Sequence, residues 1–204
     1  MTTATVDEAQ RSLMESDGIE VRWIMPEGFL ELPFEADDLD ELADHLVELA
    51  KQALPGANEE VQVQYAGFVT TEVDGVRCTA SVNVSLLDLD ERAGANPVGF
   101  IATTMRHLEL GQIGEVELPC GPAVTCVGNR SSGIDGSLTQ SGQDEPVWTS
   151  FIQVQIPLNN GTVLLLEMGT PTVEGWDVFS AMFAGVVKSV RFFDAEGAPL
   201  VMPG

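Results

Sequence analysis

The chain has 204 residues, of which 44% are hydrophobic, so it is long enough to bury one sizeable core. Its 32 acidic residues far outnumber its 9 lysines and arginines, which gives a formal net charge of -23. This charge repels nucleic-acid phosphates and anionic lipid headgroups, so we expect neither nucleic acid nor a membrane as a partner. Residues 1–60 carry 16 acids and three bases. We favour a role of this charge in solubility, and the alternative is a basic protein partner, which would meet this part of the chain first.

The sequence predicts a cytoplasmic protein in which the cysteines are reduced. No stretch approaches the length of a membrane span, and the N-terminal residues lack the basic and apolar regions of a signal peptide. Cys78, Cys120 and Cys126 have no CxxC spacing, which argues against a zinc site and against a disulfide framework. We expect thiols packed as small hydrophobic groups, although Cys120 and Cys126 could also face each other across the bend between them.

The N-terminal part of the chain predicts an arm followed by a hairpin. Residues 1–17 are mostly polar, which is typical of a flexible arm ahead of a single domain spanning 18–204. Residues 19–24 alternate between apolar and polar, as in a half-buried strand. The Pro26–Gly28 turn then predicts a tight hairpin, with a second strand over 29–34.

The next two segments differ in how clearly they can be assigned. Leucines at helical spacing predict a helix over 37–54, capped by Asp38 and stopped by the Pro-Gly pair that follows. Residues 59–72 are ambiguous, because the alternation at Val61, Val63 and Tyr65 indicates a strand while the wider apolar spacing indicates a helix. We favour a helix for this segment.

Regular patterns continue through the middle of the chain. Residues 75–87 alternate strictly, which predicts a strand with one face in the core. Asn96-Pro97 is typical of a helix start, and the apolar stripe that follows predicts a helix that stops at Gly111. Two short strands are expected at 113–118 and 124–127.

The last third predicts a helix lying on an antiparallel sheet. Residues 146–157 and 162–169 form a long hairpin, and the second of these strands is apolar on both faces, so we expect it to be central. A wide apolar stripe predicts a helix over 172–188, with Thr172 as its cap. A final strand over 190–193 follows almost without a loop.

Four motifs lie in the same order as these elements, spanning residues 19–193. They are Pro26-Glu27-Gly28-Phe29, the segment from Leu118 to Ala123, Phe179-Ser180-Ala181-Met182-Phe183, and Ser189-Val190-Arg191-Phe192. This arrangement resembles the PsbP-like superfamily, which includes photosystem oxygen-evolving accessory proteins, a Ran-binding nuclear import factor and LpqN-type actinobacterial lipoproteins. Within it the chain is most similar to cytosolic proteins of high-GC actinobacteria.

The resemblance implies an α+β fold, namely an α/β sandwich with a mainly antiparallel sheet covered by helices. It also implies a protein that binds other proteins or lipidic ligands and does not catalyse a reaction. The chain departs from the lipoprotein branch, because no cysteine follows an apolar N-terminal segment. No motif allows a particular ligand or partner residue to be carried over.

The sequence predicts no enzyme, metal or cofactor site. His45 and His107 have no paired nucleophile, and Ser131 and Ser132 are not part of a Gly-x-Ser-x-Gly elbow. Neither EF-hand spacing nor a glycine-rich phosphate loop is present. The carboxylates of Asp88, Asp90 and Glu91 follow the buried face of a strand, so either that strand ends at Leu87, which we favour, or they meet a hard cation or a basic partner.

The expected function is therefore a non-enzymatic protein-interaction or accessory module. The alternative is a small-molecule or lipid-binding protein with a pocket between the helix at 37–54 and the sheet. Residues 129–145 are polar and predict a long, functional or disordered loop. The candidate partner-binding residues, at the acidic helix start and in this loop, are Asp37, Asp38, Asp40, Glu41, Asp44 and Arg130.

Overall fold

The computed structural model describes residues 9–14, 18–31, 61–89, 91–134, 142–143 and 145–203. These residues form an open, sandwich-like α+β fold with two antiparallel sheets and two α-helices. The helices are α1 (Pro97–His107) and α2 (Trp176–Ser189). The strands are β1 (Ala9–Met14), β2 (Glu20–Met25), β3 (Leu30–Glu31), β4 (Val61–Val73), β5 (Val76–Asp88), β6 (Gln112–Leu118), β7 (Gly121–Ile134), β8 (Glu145–Pro157), β9 (Thr162–Thr170), β10 (Arg191–Phe193) and β11 (Pro199–Leu200).

The larger sheet has seven strands in the order β3-β4-β5-β9-β8-β7-β6. The strands predicted at 75–87, 146–157 and 162–169 are neighbours in it, and all their pairings are antiparallel. β9 lies between β5 and β8, and all four residues from Val163 to Leu166 are buried. The prediction of a central strand, apolar on both faces, is confirmed.

The two faces of this sheet are covered by different elements. On the face that we call the α2 face, Val82, Val84, Leu164 and Leu166 pack in one core cluster with α2 and the smaller sheet. On the opposite face, the α1 face, a second cluster joins Leu87, Val163 and Leu165 to α1. Side chains alternate between the two faces along each strand, so a neighbour in sequence points to the other cluster.

The smaller sheet has the order β1-β2-β10-β11, which differs from the predicted opening of the chain. The expected hairpin between 19–24 and 29–34 is wrong, because β2 pairs with β1 and β10 while β3 pairs with β4. The turn after β2 therefore carries the chain from one sheet to the other. Ala9–Met14, expected to be part of a flexible arm, form a strand because their backbone pairs with β2.

The segment at 59–72 is a strand, so the predicted helix is wrong. Val61–Val73 pairs with β5 along its length, with a shift in register between Val63 and Tyr65. This irregularity inserts one residue, after which Tyr65 and Val69 are buried on the α2 face. Where the alternation of apolar residues changes phase, their spacing resembles that of a helix. This change explains why the sequence favoured a helix at 59–72.

The predicted loop at 129–145 is wrong at both of its ends. β7 continues to Ile134, and β8 begins at Glu145 directly opposite it. Residues 135–141 and 144 lie outside the described residues. Ser131 and Ser132 therefore lie on a strand, and their polar character reflects the exposed end of a two-stranded extension and not a loop.

Both described helices match the predicted positions, with one change at the start of α2. Asn96 caps α1 as expected, since its Oδ1 accepts a hydrogen bond from the Gly99 N–H at 2.9 Å. Thr172 does not cap α2: its Oγ1 accepts from the Thr79 N–H at 3.3 Å, and a short 3-10 turn over Val173–Gly175 comes first. No helix in the described part of the chain is both long and apolar enough to cross a membrane.

Replacing Phe183 with alanine should lower the free energy of unfolding by about 3–5 kcal/mol, because this ring is fully buried between α2 and the larger sheet. Urea unfolding followed by circular dichroism measures the change. Val178→Ala on the exposed side of the same helix is the control, with an expected change within about 0.5 kcal/mol. Equal effects of the two substitutions would contradict the packing of α2 described above.

Candidate functional site

An open groove of about 920 Å³ lies on the α2 face, where β7 and β8 run past the start of α2. Four segments that are separate in sequence form it. Its floor comes from the middle of β7 and from Ser150 on β8, and one wall is the turn between α1 and β6. The other wall is the start of α2. The lining residues are Glu109, Leu110, Gly111, Gln112, Val127, Gly128, Asn129, Ser150, Val173, Glu174, Trp176 and Asp177.

Two glycines allow the α1–β6 turn to lie directly on β7. A Cβ at Gly128 would come within 2.6 Å of the Leu110 carbonyl oxygen, and one at Gly111 would collide with the carbonyl oxygen of Val127. The turn is tight enough that Glu109 adopts a positive φ of 52°, which is strained for a glutamate. The wall that carries Glu109 is therefore held in a defined position.

The groove is acidic. Glu109, Glu174 and Asp177 line it and are exposed, while none of its lining residues is a lysine, arginine or histidine. On its floor the Ser150 hydroxyl donates a hydrogen bond of 2.7 Å to Asn129 Oδ1. A cationic group entering the groove would meet three carboxylates without a competing positive charge in the lining.

Exposed apolar side chains border the same groove. Val173 is 74% exposed at its wall, and Trp176 is half-buried beside it. Trp148 is 67% exposed and lies two residues from Ser150, on the same face of β8. Single exposed apolar residues are ordinary, but adjacent ones rimmed by polar groups are typical of interaction sites.

Arg130 lies on the opposite, α1 face of the sheet, in a polar cluster. Its Nη1 donates to Glu167 Oε2 at 3.1 Å and its Nη2 to Oε1, so the pair is bidentate. Gln153 Nε2 also donates to Glu167 Oε2, at 2.5 Å, and the Arg130 guanidinium lies 5.1 Å from the centre of the Phe151 ring. The side chains of Arg130 and Glu167 are 22% and 5% exposed.

This cluster joins three neighbouring strands, since Arg130 is on β7, Gln153 on β8 and Glu167 on β9. A carboxylate buried to this degree needs a paired cation and further hydrogen bonds, and the cluster supplies both. The contacts of Arg130 are therefore internal and structural. Its predicted role as a partner contact stays a prediction.

The other candidate residues from the sequence are not brought together by the described part of the structure. Asp37, Asp38, Asp40, Glu41 and Asp44 lie outside the described residues, as do His45, Asp90 and the predicted helix at 37–54. Asp88 is exposed at the end of β5 and His107 is in the last turn of α1. Among the residues that the structure describes, no three His, Cys, Asp or Glu side chains are grouped as a metal site would require.

The sequence did not predict the groove. Glu174 and Asp177 are expected at a helix start on dipole grounds alone, and nothing local connects them to Glu109. No local pattern distinguishes Trp148 or Val173 from core residues, because Trp148 continues the apolar alternation of β8 and Val173 lies three residues before Trp176.

The cysteines are free and buried, as expected from the sequence. Cys120 packs in the cluster on the α2 face and Cys126 in the cluster on the α1 face, so they do not face each other. Burial raises the pKa of each thiol to about 11, and the negative charge of Glu167 adds to the effect at Cys126.

Comparisons with known proteins give a limited result. No protein-family model matches the chain, and no curated protein matches it. Solved structures that match include LpqN of Mycobacterium tuberculosis, described as involved in cell envelope biogenesis, at 12% sequence identity and a TM-score of 0.42. The match covers 90% of this chain and 90% of that one, and it indicates a weak structural relationship.

Arg130→Ala should lower the free energy of unfolding by about 3 kcal/mol, because it leaves the buried Glu167 carboxylate without its cation. The double variant Arg130→Leu/Glu167→Leu should lose less than the single one, since no charge is left buried. Urea unfolding of the two variants beside the unaltered protein measures both. A double variant that is less stable than Arg130→Ala would show that the ion pair itself contributes the stability.

The buried thiols predict a fall in stability at alkaline pH. Their folded pKa of about 11 lies above the value of about 8.5 expected in an unfolded chain, so only the unfolded chain releases these protons in between. The free energy of unfolding should therefore be unaffected by the thiols below about pH 8.5 and decline from there towards pH 11. Urea unfolding across this range, with Cys120→Ala/Cys126→Ala as the comparison, should show a steeper decline for the unaltered protein.

Proposed function

We propose that the protein is a non-enzymatic interaction module that binds a positively charged segment of another protein in the groove. The observation that carries this proposal is the composition of the groove, with three exposed carboxylates, adjacent exposed apolar side chains and no cationic lining residue. Carboxylates steer a basic partner and set its orientation, while tryptophan and valine side chains supply contact area.

The shape of the groove favours a protein segment over a small molecule. Small-molecule sites usually enclose most of the ligand surface. This groove is open to solvent, and the exposed Trp148 lies two residues from the groove residue Ser150 on the same face of β8. A segment several residues long could contact the acidic wall and Trp148 at the same time.

The groove also offers no catalytic pair. Ser150 is its hydroxyl-bearing residue, and the neighbour to which that hydroxyl donates is the amide oxygen of Asn129, which is not a base. This arrangement supports binding without chemistry.

Two further expectations belong to the same proposal. The acidic segment at 37–44 would add to the attraction for a basic partner, as its charge density suggests. The alternative function, a small-molecule or lipid binder, depends on a pocket beside the predicted helix at 37–54. Native mass spectrometry of the purified protein separates the two, because a copurified ligand of low mass would favour the pocket.

The probe for the groove is a short synthetic peptide of alternating lysine and valine. The tryptophan fluorescence of the protein measures its binding. Reversing Glu174 and Asp177 to lysine should weaken its binding about tenfold or more, because two attractions become two repulsions. Raising the salt from about 0.05 M to about 0.5 M should weaken binding to the unaltered protein, because screening shortens the Debye length. The control reverses two exposed acids outside the groove, Asp88 and Glu196, and makes the same change in net charge.

The outcome of that comparison decides the proposal. A loss at least fivefold larger for the groove reversal than for the control supports the groove. Equal losses would mean that the peptide responds to net charge alone, and the groove would not be the site. A third variant, with Asp38, Asp40 and Asp44 reversed to lysine, tests the acidic segment in the same titration.

A further inference from the structure

β6 is the last strand of the larger sheet in the part of the chain that the structure describes. It pairs with β7, and within the described residues no strand pairs with its other edge. It is seven residues long, whereas β3 at the opposite end of the sheet has two. Gln112, Glu115, Val116 and Glu117 on β6 are exposed. A strand edge of this length is a template for pairing with another extended chain.

The register of the β6–β7 hairpin indicates which backbone groups point outward. The turn has two residues, with Leu118 opposite Gly121, so the pair next to the turn exchanges both hydrogen bonds. Alternation then leaves Glu117 opposite Pro122, a residue without an N–H, in a pair that exchanges none. The N–H and C=O groups of Ile113, Glu115 and Glu117 are therefore directed away from β7.

Side chains along β6 divide by charge. Glu115 and Glu117 lie on one face, where Glu115 forms an exposed ion pair of 2.9 Å with Arg106. Val116 and Gly114 lie on the other face. Gln112, the first residue of β6, also lines the groove, so the groove reaches the start of this strand.

We propose that an extended stretch of the partner's basic segment adds to the free edge of β6 as an eighth strand. This inference rests on the proposed function, because it specifies how the same partner is held. Main-chain hydrogen bonds to Ile113, Glu115 and Glu117 provide the register. Lysine or arginine at alternate positions faces the two glutamates, and small apolar residues lie beside Val116.

Charge argues against a second copy of this chain as the added strand. Pairing two β6 edges would bring the glutamates of both copies to one face of the joint sheet, and each copy carries a net charge of -23. A strand with lysine or arginine at alternate positions would instead place positive charges beside these glutamates.

The test uses two substitutions at one residue and the alternating lysine–valine peptide as the probe. Glu115→Pro and Glu115→Ala both remove the carboxylate and its ion pair with Arg106, but the proline alone also removes the outward N–H. Proline is tolerated on an edge strand when its missing N–H faces away from the sheet. Both variants should therefore have melting temperatures within a few degrees of each other. We expect Glu115→Pro to weaken peptide binding at least fivefold more than Glu115→Ala.

Hydrogen exchange on the unaltered protein gives a second measurement that does not depend on a variant folding. The amides of Ile113, Glu115 and Glu117 should exchange quickly in the free protein and at least tenfold more slowly with saturating peptide. Those of Gly114 and Val116, which the register directs towards β7, should be protected in both states. Unchanged exchange at the three outward amides would overturn the proposal.

The two proposals fail in different ways. If the groove reversal weakens binding but Glu115→Pro behaves like Glu115→Ala, the groove binds the peptide and strand addition is wrong. If the groove reversal and Glu115→Pro both match their controls, strand addition and the proposed function are both wrong. A dimer detected by analytical ultracentrifugation that dissociates in Glu115→Pro would assign the edge to a second copy and would likewise overturn a basic partner strand.

Discussion

The burial of β9 on both faces is the constraint on which the rest of the structure depends. A strand with apolar side chains from Val163 to Leu166 on alternate faces is stable only if two separate layers cover it. α2 and the smaller sheet supply one layer, and α1 contributes to the other. The position of α2 follows from this requirement. The groove exists because β7 and β8 continue past the point where α2 begins.

The central sheet also contains a charge, and this limits which side chains its neighbours can carry. Glu167 is on β9 itself, so its carboxylate is stable only while β7 and β8 present Arg130 and Gln153 at the matching positions. A slip of one residue between β8 and β9 would move Gln153 to the other face and leave the carboxylate against apolar groups. The cluster therefore opposes incorrect pairing of these strands, in addition to any contribution to stability.

Sequence patterns predicted the elements whose signals are local and regular. β5, β8, β9 and α1 have an unbroken alternation or a capped apolar stripe, and each lies where expected. The helix predicted at 59–72 was wrong because the bulge in β4 changes the phase of the alternation. The loop predicted from residue 129 was wrong because the exposed, paired end of β7 has the composition of a loop. The groove could not be predicted, since Glu109, Asn129 and Glu174 become neighbours only through tertiary packing. The acidic candidates at 37–44 stay predictions.

The order of strands in the smaller sheet has a consequence for synthesis. β2 lies between β1, which precedes it in the chain, and β10, which is made 169 residues later according to the register of Arg22 with Arg191. While the chain is being translated, the seven-stranded sheet can assemble before β10 has left the ribosome, with Val21 and Trp23 still lacking part of their enclosure. The nascent protein thus passes through a stage in which apolar side chains of β2 are not yet covered by β10. A chaperone that acts on this protein would be needed most at that stage.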